Sequence, residues 1–196
     1  MRELSDNNKL ELTKCRRSDD TLFNLCLPEN LRKAKKDQFG KNYCERHIAF
    51  TNLTRVAVNS AMMNNFIKKK RGQTPLELEK LPYDDNSQDV RLLSGMPIIA
   101  RVNEAKHGIC NNDQFTIQQI QHKTGIIIVQ DEERTIKIPF TDFQRLFRVG
   151  FCITCHAAQG STFDFEYTIH EWDKFCPRLK YVALSRGTKI ENINVV

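Results

Sequence analysis

The stretch Phe151-Cys152-Ile153-Thr154-Cys155-His156-Ala157-Ala158-Gln159-Gly160-Ser161-Thr162-Phe163-Asp164 decides the reading of this chain. An apolar run stops at Thr-x-His and gives way to Ala-Ala-Gln-Gly-Ser. The pattern predicts a strand that ends abruptly and presents polar groups at its carboxyl edge, where open α/β sheets bind ligands. Further on, Lys180-Tyr181-Val182-Ala183-Leu184-Ser185-Arg186-Gly187 predicts an amphipathic helix with one arginine near its end and a glycine stop. Upstream, the run from Glu45 to Asn52 predicts a short buried strand stopping at Thr51-Asn52, either of which suits a helix N-cap. Leu53 to Ile67 then predicts a helix with Val56, Asn59, Met63 and Phe66 near one stripe. Phe165–His170 and Ile193–Val196 read as further strands, and Pro177 suits the first turn of the last helix.

Between these parts the character changes. Four short β segments follow one another: Gly95 to Asn103, Gln114 to Gln121, Ile126 to Gln130 and Arg134 to Phe140. They predict a small barrel or meander. Asp131-Glu132-Glu133 falls in a turn between two of them and reads as a solvent-exposed turn, not a magnesium-binding motif. Gln73 to Gln88 carries Pro75 and Pro82 with no helical period, and predicts a surface connection prone to disorder. Near the start, Asp19 to Leu27 predicts a helix ended by Pro28, and Leu31 to Asp37 another turn. Lys14, Arg16, Arg17, Arg32, Lys33, Lys35 and Lys36 read as a solvated basic face in preference to a nucleic-acid patch. Lys68-Lys69-Lys70-Arg71-Gly72 fits two readings equally: cations suiting a helix C-terminus, or a phosphate-tracking or localisation patch.

The 196 residues, 40% hydrophobic and 28% charged, suit one globular domain with a small insert. The formal charge of +6 leans toward a polyanionic partner. The opening Met1 to Asp6 is polar and predicts no secretory leader, and no apolar run nears the ~20 residues a membrane span needs. Seven scattered cysteines suit a reducing, intracellular setting, nucleus or cytoplasm being left open. Cys152-x-x-Cys155 has no matching second pair, and residues three apart on a strand point to opposite faces, so no metal site is expected. The low glycine content with many Asn, Lys and Ile suits an AT-rich genome, such as that of a large DNA virus.

Taken in order, the Thr51-Asn52 segment with Arg55 and Asn59, the Thr154–Ser161 stretch and Tyr181-Val182-Ala183-Leu184-Ser185-Arg186 resemble motifs IV, V and VI of superfamily 1 helicases. The nearest branch is the Pif1/RecD-like one, with patterns close to T-x-H-K-x-Q-G-S and Y-V-A-L-S-R; Ala157 stands where a basic residue is usual. Gly95-Met96-Pro97-Ile98-Ile99 with Asn103, then Gly108 to Asp113, is similar to the SH3-like β insert of that branch, with Asn112-Asp113 in place of a glycine; both residue types tolerate positive φ. The resemblance implies an α/β fold, a RecA-like parallel sheet with helices on both faces, interrupted by a small all-β insert. It places a RecA-like first part in residues 1–89, the insert in 90–147 and the closing RecA-like part in 148–196.

The same resemblance implies roles. Arg186 would be the arginine finger and Arg55 a second arginine toward the nucleotide. Gln159, Gly160 and Ser161 would lie on the nucleotide side, with a helix starting there to offer amides to phosphate. Thr154, His156, Thr51 and Asn52, with Asn103 and His107 from the insert, would hold nucleic acid. The phosphate cradle G-x-x-x-x-G-K-[ST] is absent from the chain. The expected function is therefore the second motor domain of an ATP-dependent helicase, moving 5′ to 3′ on single-stranded DNA, with RNA left open. ATP and Mg²⁺ would be bound jointly with a first RecA-like domain of the same polypeptide, and replication proteins would be further partners. The competing reading is a docking module derived from a helicase. A hydrolase using Cys155 or Ser161 with His156 or His170 has no nucleophile elbow to support it.

Overall fold

In the computed structural model, which describes residues 16–196, the chain starts with two short helices, α1 (Asp20–Leu25) and α2 (Pro28–Leu31). Lys14, Cys15 and the polar opening lie outside the described residues. Asp19 caps α1, its Oδ1 accepting the Leu22 N–H at 2.7 Å. Pro28 does not merely end α1: it opens α2 in its first turn, where a missing N–H costs nothing. Arg32, Lys33 and Lys35 are exposed, as a solvated face requires.

β1 (Arg46–Ala49) runs into α3 (Asn52–Lys69), whose N-cap is Thr51: its Oγ1 accepts the Thr54 N–H at 3.2 Å. The buried stripe of α3 is Arg55, Val58, Asn59 and Met63. Val58 thus takes the place expected of Val56, because positions 55, 59 and 63 lie four apart along one face. The connection expected to be irregular instead forms β2 (Leu76–Leu78), paired antiparallel with β3 (Val90–Leu92) in the register Leu76 to Leu92. Three residues are too few for a period of two to declare itself.

The β-rich part comprises β4 (Pro97–Ala100), β5 (Gln114–Gln121), β6 (Ile126–Gln130) and β7 (Thr135–Pro139), then α4 (Phe140–Leu146) and β8 (Phe147–Val149). They form an antiparallel sheet in the order β7-β6-β5-β4-β8. β8 is the one strand of this sheet that sequence reading missed. Asn112 itself takes the left-handed conformation, φ 73°, in the turn before β5. This sheet does not close a core of its own. Ile98, Phe115, Ile127 and Phe143 pack in one cluster with Leu76, Leu92 and Met63 of α3.

β9 (Cys152–Thr154), β10 (Tyr167–Ile169), α5 (Pro177–Leu184) and β11 (Ile193–Val195) complete the chain. The second sheet runs β11-β10-β1-β9, all parallel. One face carries Ala49 and Cys152 under Val58 of α3. The other carries Ile48, Ile153 and Tyr167, with Leu22, Leu31, Ala183 and Leu184 from α1, α2 and α5. This is a parallel sheet with helices on both faces, and since β1 pairs with both β9 and β10, the antiparallel part is an insertion within it. Cys152 and Cys155 fall in different clusters on opposite sides of that sheet.

At the edge strand β9, Asn59 of α3 acts as a substitute neighbour. Its Oδ1 accepts the Cys152 N–H at 2.8 Å and its Nδ2 donates to the Cys152 carbonyl at 2.9 Å, with Asn59 fully buried. Asn59→Ala strands both backbone groups. The expected cost is about 2–4 kcal/mol in a urea unfolding series; a cost under ~0.5 kcal/mol would mean water or a shifted backbone replaces the clamp.

Candidate nucleotide and nucleic-acid site

The carboxyl edge of the parallel sheet gathers most of the residues expected to hold a strand. Ala49 of β1 is in register with Thr154 of β9, so Thr51 and Asn52 emerge beside Thr154 and His156. Thr51 and Thr154 are half-buried; Asn52 and His156 are exposed. At the neighbouring strand end sits a residue that sequence reading passed over. Glu171 follows β10 in a left-handed conformation, φ 60°. Its carboxylate accepts the N–H groups of Phe50 and Thr51 at 3.2 and 2.9 Å and the Thr51 hydroxyl at 3.1 Å, and pairs with Lys174 at 2.7 Å. Partial burial works against its charge, but these donors outweigh it and hold the carboxyl at about 2. The only sequence signal was an acidic residue just past a strand, which does not reveal its backbone conformation.

From Thr154 the chain leaves the edge through successive turns, not a helix. The Ala157 N–H binds Thr154 Oγ1 at 3.3 Å, and the amides of Ala158, Gln159 and Ser161 bind the carbonyls of Thr154, His156 and Ala158. The helix expected to start at Gln159–Ser161 is therefore absent, and the amides of Gln159 and Ser161 are already used. Gly160 has φ 96°, a conformation that only glycine adopts without strain. Gln159 and Gly160 are exposed, Ser161 half-buried.

This turn ends against Arg186. α5 stops at Leu184, so Arg186 lies just beyond the helix and not inside it. Its guanidinium is folded back: Nε donates to the Val182 carbonyl at 2.9 Å, Nη1 to the Ser161 carbonyl at 2.9 Å, and Nη2 to Ser185 Oγ at 3.0 Å. It is 7% exposed, and burial together with Arg17 lowers its pKa. Arg17 reaches the same acceptor, its Nη2 donating to the Ser161 carbonyl at 3.0 Å and to Thr162 Oγ1 at 2.9 Å. Two guanidinium groups thus share one neutral oxygen, beside a cleft of about 620 Å³ between α1, α2 and α5. Gly187 does not end the helix in a left-handed turn. A Cβ there would meet the Tyr167 hydroxyl at 3.2 Å, closer than ordinary contact.

Arg55 is not at this place. It projects from α3, on the other face of the sheet from α5, and is 1% exposed, with Nε on Asn52 Oδ1 at 2.9 Å and Nη2 on the Asn86 carbonyl at 2.6 Å. The structure separates the two arginines that the motifs suggested as partners on a nucleotide. Asn103 and His107 lie in the loop between β4 and β5. Asn103 Oδ1 accepts the Asn111 N–H at 2.7 Å, and His107 is half-buried. No hydrogen bond among the described residues joins either to the sheet edge. The insert instead reaches the turn through Gln114, whose Nε2 donates to Ser161 Oγ at 3.1 Å.

The surroundings of Cys155 work against a nucleophilic role. Burial pushes the thiol up to about 11 against the opposing pull of Arg186, and its Sγ faces the Leu179 carbonyl while His156 is exposed.

No protein-family model and no curated protein matches the sequence. Solved structures do match in fold. A Pif1 helicase structure concerned with unwinding of forked DNA by two coordinating copies aligns at a TM-score of 0.69 and 23% identity, over 95% of this chain and 49% of that one. Pif1 helicase from Bacteroides in complex with ADP-AlF3 and single-stranded DNA gives 0.64, 21%, 95% and 51%. Pif1 helicase from Candida albicans gives 0.60, 12%, 91% and 53%. The chain has a Pif1-like helicase fold and spans about half the length of the solved structures it matches. No helix among the described residues is long and apolar enough to cross a membrane.

Proposed function

We propose that this chain is the second RecA-like motor half, with its β insert, of an ATP-dependent DNA helicase of the Pif1-like type. The observation that carries this is one segment, residues 154–161. It begins at the strand edge beside Thr51 and ends on the carbonyl that holds Arg186. In this reading single-stranded DNA lies across the sheet edge. Thr51, Asn52, Thr154 and His156 contact its backbone, and the loop bearing Asn103 and His107 adds contacts from the insert. Binding of this kind is tolerant of sequence and weakens with salt.

ATP would be held jointly. A first RecA-like domain supplies the phosphate cradle and the Mg²⁺ ligands, and this chain supplies Arg186 with Gln159, Gly160 and Ser161 alongside. Arg186 and Arg17 fit an anionic ligand, since two cations now share a neutral carbonyl. To reach a phosphate, Arg186 must release the Ser161 carbonyl, leaving it to Arg17; that release loosens the far end of the segment whose near end grips DNA. Nucleotide state and DNA grip are thereby coupled through a turn only a few residues long. Arg55 enters as a positioning residue: through Asn52 it fixes the first turn of α3. Movement 5′ to 3′ is part of the proposal.

The test is binding of a fluorescent single-stranded oligonucleotide to this chain. Thr154→Val with His156→Ala should weaken it about tenfold, the loss of one or two hydrogen bonds to a charged partner, measured well below the melting midpoint of the variant, which also loses the Ala157 N–H bond to Thr154. Equal affinity of variant and parent would place the strand elsewhere.

A further inference from the structure

The cluster around Arg55 has more positive charge than the protein neutralises. Three arginines converge where the insert meets α3: Arg55 from α3, Arg101 just after β4, and Arg148 in β8. They line a cavity of about 20 Å³ with Asp84 and Gln144. Asp84 is the one carboxylate, and it is committed to Arg101, the two groups being in direct contact. Arg101 Nη1 goes to the Gln144 carbonyl at 3.1 Å. The half-buried Arg148 has no ion pair within 4.0 Å among the described residues. Arg55 is fully enclosed, and its Nη1 has no hydrogen-bond partner among the described residues. Burial, with Arg148 and Arg101 nearby, lowers Arg55 only to about 10, so it stays charged at neutral pH.

A buried guanidinium N–H without an acceptor costs several times an ordinary hydrogen bond, and like charges at short range add to that. Water in the cavity would satisfy the donor but not the charge. The space admits something the size of one water molecule, which excludes phosphate, sulfate and carboxylate ligands. What remains is a compact single negative charge that accepts N–H donors from any direction. We propose that a halide ion, chloride in the cell, binds in the cavity among Arg55, Arg101 and Arg148 and ties the β insert to α3. The site is separate from Arg186 and does not depend on the helicase reading.

Crystals of this chain soaked in bromide should show an anomalous peak in that cavity. In solution, the change in melting midpoint from glutamate to chloride at equal ionic strength should be about 3 °C more positive for the parent than for Arg148→Gln, as expected for a ligand held by the native state alone. Arg148 is partly exposed and unpaired, so its loss should leave the fold intact. If it does not, the bromide soak of the parent decides alone. Absence of the bromide peak, or an equal chloride response in parent and Arg148→Gln, would overturn the assignment.

Discussion

With a first RecA-like domain present, the proposed function predicts that Arg186→Ala will lower ATP turnover by about 10³-fold or more and leave affinity for single-stranded DNA within about twofold. A planar guanidinium spreads several donors over the oxygens of a phosphoryl group in transit, where water or a lysine ammonium cannot follow the same geometry. Arg186→Lys is therefore expected to stay within about tenfold of the alanine variant. The ground-state hydrogen bonds of Arg186 go to Val182, Ser161, Ser185 and, at 3.5 Å, the Ala158 carbonyl. That makes a second role measurable in the same variants. Truncation removes these buried hydrogen bonds, although Arg17 still reaches the Ser161 carbonyl and Ser185 Oγ the Val182 carbonyl, and should lower stability by about 1–3 kcal/mol. Turnover within tenfold of the parent, together with a stability loss of that size, would make Arg186 a clasp for the 154–161 turn and nothing more.

The largest expected response to solution conditions comes from two buried imidazoles. His47 Nδ1 and His170 Nε2 lie 3.1 Å apart, Tyr43 packs over His47 with ring centroids 4.4 Å apart, and His47 Nε2 is buried without a hydrogen-bond partner among the described residues. Burial first, and then His170, lowers His47 from 6.5 to about 4; burial lowers His170 as well. Both therefore favour the neutral form in the folded state. The unfolded chain takes up protons at higher pH than the folded one, so stability is complete above pH 6.5 and falls as pH drops from 6.5 toward about 4. For His47 alone the loss is about 3 kcal/mol. Glu171, held at about 2, adds its own loss only at lower pH, below its ordinary value of 4.5. Urea midpoints measured from pH 7.5 down to pH 4.5 should show the decline. His47→Phe, which packs under Tyr43 without a proton to bind, should flatten it. An undiminished slope in that variant would assign the decline to other groups.

How much of this was legible in the sequence depended on length and on separation along the chain. The alternation from Gln114 to Gln121 and the apolar run at Ile126 marked real strands, because each spans several residues of one sheet. β2, β3 and β8 are three residues each, shorter than the period they would need to reveal. Thr51 as N-cap was readable from a Thr before an amphipathic run, and Pro177 at the start of α5 from its missing donor. The helix expected at Gln159–Ser161 failed because Gly160 and the Thr154 hydroxyl favour local turns over a helical ladder. Arg55 and Arg186 belonged to the first and last of three motifs in an ordered list, but order does not say on which face of the sheet a helix lies. α3 and α5 cover opposite faces. Glu171 and the Arg55–Arg101–Arg148 cluster rest on contacts between distant segments, which no local pattern records.

The most direct test of the account is ATP turnover, with and without single-stranded DNA, by the native polypeptide that contains these 196 residues. The account predicts Mg²⁺-dependent turnover that DNA stimulates and that Arg186→Ala abolishes. A native polypeptide with no phosphate cradle and no turnover, or with turnover indifferent to both DNA and Arg186, would contradict it.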